Sequence, residues 1–155
     1  MTTAPRLGRA LFVAAMLLGA QSARASADAG GCGDFLAALG HKPAGLEYVG
    51  CAAGYDAQLR VLVASYAVSG SRANRVERYL GRHTGMGRLR FLCCGWEPAA
   101  VVAGGVRQRE GWLPRGHEPG DRVTMFSGET LVSRRADWAQ IPAFHVRITR
   151  YLESP

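Results

Sequence analysis

The chain has 155 residues, 48% of them hydrophobic and 20% charged, with a formal net charge of +7 and four cysteines. That apolar content excludes an intrinsically disordered chain, and the length suits one domain. The basic excess is arginine-rich, with Lys42 the sole lysine, and it is too mild and scattered to argue for nucleic-acid binding.

The N-terminus reads as an export signal over residues 1–25. Arg6 and Arg9 precede a short apolar run, Ala10 to Ala20, and Ala23-Arg24-Ala25 supplies small residues at the cleavage spacing. The run is too short to span a bilayer comfortably, so no transmembrane segment is expected in the mature chain. Cleavage removes three arginines and leaves 16 basic against 12 acidic residues, a net charge of +4. The remaining residues, 26–155, are expected to form one α+β domain in the periplasm or outside the cell. A lipid anchor on Cys32, after Ala29-Gly30-Gly31, ranks below simple cleavage because the position three before it is alanine rather than leucine.

Cys32, Cys51, Cys93 and Cys94 in an exported chain read as a disulfide framework. Cys93 and Cys94 lie in the run R-L-R-F-L-C-C-G-W-E-P, read as a buried central strand stopped by Pro98. Neighbouring strand residues point to opposite faces. The favoured pairings therefore tie Cys32 and Cys51 separately onto this strand, in an order left open. A Cys93–Cys94 ring, which would leave Cys32 to pair with Cys51, would be strained and ranks lower. The pair also lacks the spacer of a C-x-x-C exchanger, so structural staples are expected rather than redox chemistry.

Along the rest of the chain, Asp34 to Leu39 reads as a short helix ending at Gly40, and Leu46 to Cys51 and Gln58 to Val68 as strands of an antiparallel hairpin. Ser71 is placed to cap a helix over Arg72 to His83. There Ala73, Val76, Leu80 and His83 share one face, and Arg72, Arg75, Arg78 and Arg82 largely line another. Ala99 to Gly120, rich in glycine and proline, reads as a long excursion with a weak hairpin near Ala100 to Val106; Trp112 is expected to pack back. Arg122 to Ser127 and Ala143 to Leu152 are strands. In the last, Phe144, Val146 and Ile148 alternate with His145, Arg147 and Thr149, and Arg150 is expected to mark the sheet's edge. The sum is an antiparallel or mixed sheet of about five strands with two helices on one face, stapled by disulfides.

The contexts C-G-D-F-L at Cys32, V-G-C at Cys51 and C-C-G-W-E-P at Cys93 resemble a group of small exported bacterial proteins classed as a domain of unknown function. The resemblance implies an exported domain and carries no catalytic residue with it.

No phosphate loop, dinucleotide fingerprint or paired C-x-x-C knuckle is present, so no cofactor or metal is expected. The leading expectation is a non-catalytic binding protein, such as an inhibitor or immunity-type partner of another envelope or secreted protein. Its candidate surface is Arg72, Arg75, Arg78, Arg82, Trp96 and Trp112, residue types suited to interfaces. The alternative is a small envelope hydrolase using Glu97, Glu118 and His117. Burial beside Trp96 would raise the Glu97 pKa, and His117 with Glu118 would do acid–base work, although a solvent-facing strand end is the favoured reading of Glu97.

Overall fold

The computed structural model describes residues 31–116 and 118–153. The expected signal segment therefore lies outside the described residues, as does His117. The elements run α1 (Phe35–Ala38), β1 (Glu47–Asp56), β2 (Leu59–Val68), α2 (Gly70–Thr84), β3 (Arg88–Leu92), β4 (Gly95–Val102), β5 (Gly105–Gln108), β6 (Gly111–Arg115), β7 (Glu118–Phe126), a 3-10 turn (Arg135–Gln140) and β8 (Phe144–Tyr151). They form a five-stranded sheet, ordered β1-β2-β8-β7-β6, and a three-stranded sheet, β3-β4-β5; every pairing is antiparallel. The α+β, antiparallel expectation holds, but five strands in one sheet become eight in two.

The larger sheet has one buried face. Cross-strand pairs Ala64↔Ile148, Tyr66↔Val146 and Val68↔Phe144 put their side chains on it, and all six residues are buried. Both helices cover this face. Ala73, Val76 and Leu80 of α2 are fully buried there, as the helical period predicts. The fourth position of that stripe is taken by Thr84 rather than His83, which is exposed and stacks on Tyr79 at 4.1 Å. Ser69, not Ser71, is the N-cap residue, since the helix starts at Gly70. α1 is tied down by Asp34, which accepts from Ala37 N–H and from the Tyr66 hydroxyl, while Leu36 N–H donates to the same hydroxyl.

Arg150 is not at an edge. β8 is the central strand, and Arg150 points inward, where both its Nε (3.1 Å) and Nη2 (2.7 Å) donate to the fully buried Asp121. Its guanidinium also lies 3.8 Å from the Phe35 ring centroid. A charge in an apolar alternation is accommodated because its partner, from the neighbouring strand, is buried with it.

The excursion expected after Ala99 is mostly strand. Pro98 does not stop β4, because its pair with Leu89 requires no N–H from it, and its carbonyl accepts from Arg109 N–H at 2.9 Å. The weak hairpin near Ala100 to Val106 is the β4–β5 hairpin. Trp112 does not pack back; it is 51% exposed.

The disulfide framework differs most. Cys32 bonds Cys51 across 19 positions, with their Cα atoms 5.5 Å apart. A loop of that length contributes about 3 kcal/mol in the chain-entropy picture. The bond also leaves Cys32 no thiol for a lipid. Cys93 and Cys94 are free, exposed, and form the loop between β3 and β4 instead of the middle of a strand. The pairing of each with Cys32 or Cys51 is thus overturned. Leu92 pairs with Gly95, so a two-residue loop turns the chain, and Cys93 takes φ +55° to make that turn.

Candidate functional site

β3 is an edge strand, and its free side faces α2 and the 3-10 turn. Because Leu89 and Pro98 form a non-hydrogen-bonded pair, the Leu89 N–H and C=O both point off the sheet. Two charged side chains meet them. Glu77, buried on α2, accepts from Leu89 N–H at 2.7 Å; Arg135 donates to the Leu89 carbonyl and binds Glu77 at 2.6 Å. Arg135 also lies against two indoles, 4.2 Å from the Trp138 centroid and 5.4 Å from that of Trp96, which meet each other edge to face. This arrangement fixes β3 against α2 and neutralises the buried carboxylate.

The surface above it is rich in arginines. Arg78 and Arg82 of α2 and Arg88 of β3 line one open hollow of about 530 Å³, together with Glu77, Asn74 and Met86. Arg88 and Arg90 line an adjoining hollow of about 440 Å³, with Phe91, Leu92, Trp96 and Arg135. Arg88 lines both, and the two neighbouring hollows along β3 are together called the groove. Local structure explains the alignment. Alternation puts Arg88 and Arg90 on one face of the strand. On the helix, Arg78 and Arg82 are four apart, one turn of the same face. Both basic positions of the last turn, Arg82 and His83, sit at the end where the helix dipole favours positive charge. None of Arg78, Arg82, Arg88 and Arg90 has an ion-pair partner among the described residues; Glu97, opposite Arg90, accepts instead from Gln108 at 2.6 Å.

The expected surface residues are thus divided. Arg72, Arg75, Arg78 and Arg82 are all exposed on α2, but Arg72 lies against Gly45, away from the groove. Trp96 is not a surface residue. It is 5% exposed, donates Nε1–H to the Val132 carbonyl at 2.7 Å, and gives the groove an apolar floor. Trp112 lies on the opposite face of the larger sheet, paired with Arg122, because its neighbour Gly111 is the residue that meets α2 at Thr84. Sequence reasoning missed Arg88, Arg90, Glu77 and Arg135. The alternation of Arg88 and Arg90 was visible, but the buried role of Glu77 was not.

The hydrolase residues are not brought together among the described residues. Glu97 lies on β4 with Gln108 as its partner, Glu118 opens β7 in the other sheet, and His117 lies outside the described residues. A second polar cluster occupies the outer face of the larger sheet. Asp56 accepts from the Tyr151 hydroxyl and from Arg122 at 2.6 Å. The Tyr151 bond, with help from Arg122 and against partial burial, holds the Asp56 carboxyl below its ordinary range. Burial and then the Asp56 bond push Tyr151 up to about 12. With its acceptors engaged, Asp56 ties the β1–β2 hairpin to β7 and β8.

The described molecule is therefore a sheet-dominated α+β protein with a cationic groove at a sheet edge. A family model for a domain of unknown function (DUF4952) matches residues 21–96. The matched stretch contains all four cysteines, α1, α2 and β3, and so most of the groove's arginines; β5 to β8 lie beyond it. No curated protein and no solved structure matches the chain.

Proposed function

We propose that the chain is a small, exported, disulfide-stabilised binding protein that seats an acidic segment of a partner protein in the arginine groove along β3. The observation that carries this reading is the set of four arginines, Arg78, Arg82, Arg88 and Arg90, lining one groove without ion-pair partners among the described residues. Guanidinium groups bind carboxylates through paired donors, and the apolar floor of Phe91, Leu92 and Trp96 accepts side chains between the acids. Export to the periplasm or beyond is supported by the basic, apolar and small-residue order of the N-terminus and by the Cys32–Cys51 bond, a bond that persists in oxidising compartments. The partner is then another envelope or secreted protein, and the chain acts as its inhibitor or immunity-type companion.

The test is fluorescence anisotropy with a labelled acidic peptide, and with a basic peptide of equal length as control. The acidic peptide binds, more weakly as salt rises. Replacing Arg78 and Arg88 together by alanine abolishes binding, whereas Arg147→Ala, on the outer sheet face, leaves it unchanged. Equal loss in both variants, or equal binding of the two peptides, refutes the groove.

A further inference from the structure

The two residues that turn the β3–β4 hairpin are both cysteines, and their sulfur atoms stand 3.0 Å apart on the surface. The other two cysteines are committed to each other, so Cys93 and Cys94 have no further intramolecular thiol to join. The hollow beside them is small, about 290 Å³, and contains Glu97 and Glu129. Hydrogen bonding with Cys93, and then the Cys93 charge, push the Cys94 thiol up, with lesser contributions from burial, Glu129 and Glu97.

The geometry points to Cys93 and Cys94 as a redox-active dithiol that closes reversibly to a vicinal disulfide by exchange with a disulfide oxidant. The oxidant is a small-molecule or protein disulfide. The Cys93 thiolate attacks one sulfur of it, forming a mixed disulfide and releasing one thiolate. Cys94, on losing its proton, attacks the Cys93 sulfur, forming the Cys93–Cys94 bond and releasing the second thiolate. Two electrons pass from the pair to the oxidant, and the two protons go to the released thiolates.

The closed form is easily reduced for a geometric reason. Consecutive Cα atoms are about 3.8 Å apart, whereas a relaxed disulfide spans about 4.4–6.8 Å. Cys32–Cys51, at 5.5 Å, fits that range. The two bonds thus differ in role: one staples β1 to the segment before α1, and the other opens and closes within a surface turn. Exposure serves this second role, since an exchange partner must reach the sulfur. The inference stands apart from the arginine groove, although Leu92 and Trp96 border both.

Mass spectrometry of the full chain in graded glutathione redox buffers tests it. The protein is alkylated without reduction and cut with trypsin. Phe91 to Val106 followed by Arg107 gives one peptide holding both cysteines with no internal basic residue. That peptide should pass from doubly alkylated to unalkylated and lighter by two hydrogens, at a more oxidising ratio than the one that opens Cys32–Cys51. In Cys94→Ser the second step is blocked, and Cys93 accumulates as a glutathione mixed disulfide that the natural chain does not retain. Four results overturn the proposal: double alkylation at every ratio, stable glutathione adducts on the natural chain, cross-links to another peptide, or a ring that outlasts Cys32–Cys51.

Discussion

Replacing Arg135 by methionine removes the guanidinium that joins α2, β3 and the tryptophans while keeping an apolar stem against the rings. Glu77 is 3% exposed, and it would keep only the Leu89 N–H as donor. The Leu89 carbonyl would lose its own donor. Breaking a buried ion pair from one side costs about 3–5 kcal/mol. Arg135 retains 27% exposure, so water offsets part of the loss and the lower end, about 3 kcal/mol, is expected. In a domain of this size that corresponds to a fall in Tm on the order of 10 °C. Urea unfolding followed by tryptophan fluorescence measures it directly, because Trp96 and Trp138 flank the site. Adding Glu77→Gln should restore part of the stability, since no uncompensated charge is then buried. A loss below about 1 kcal/mol in the single variant, or a double variant no better than the sum of the two singles, would refute the role given to this pair.

Two further outcomes follow from the fold. Gly70→Ala would bring its Cβ to 1.9 Å from the Trp138 carbonyl oxygen and 2.4 Å from that of Ile141, so it should lower stability by about 3 kcal/mol in thermal unfolding. Burial opposes the charge on Asp34, but bonds from Lys42, Ala37 N–H and Tyr66 outweigh it and hold its carboxyl below 3.8. Asp34 therefore adds stability that is complete above pH 3.8 and fades as pH falls through its lower folded value. Asp34→Asn should flatten the acid limb of a stability-against-pH curve, and an unchanged limb would contradict the linkage.

Much of the framework was legible because it rests on periodicity. The stripe Ala73, Val76, Leu80 and the alternation Phe144, Val146, Ile148 depend on burial of one face, and both hold. The hairpin of β1 and β2 was legible from the short gap between apolar runs, although Ala57 and Gln58 both adopt positive φ without the usual asparagine or glycine. The same chemistry hid the turn at Cys93-Cys94. No turn residue marks it before Gly95, and cysteine composition suits a buried strand. Strands β4 to β6 were obscured by proline, glycine and exposed arginine, since their pairing is set by partners elsewhere in the chain. At the groove, the helix arginines were visible one by one. Their meeting with Arg88 and Arg90 depends on α2 docking beside an edge strand, which no local pattern encodes.

The location of binding is the central claim, and amide chemical-shift mapping tests it most directly. An acidic peptide titrated into the isotopically labelled chain should shift resonances along Glu77 to Arg82, Met86 to Leu92 and Ser133 to Arg135, saturating together. Shifts centred instead on the outer sheet face around Trp112, Arg122 and Arg147, or none at low salt, would contradict the account.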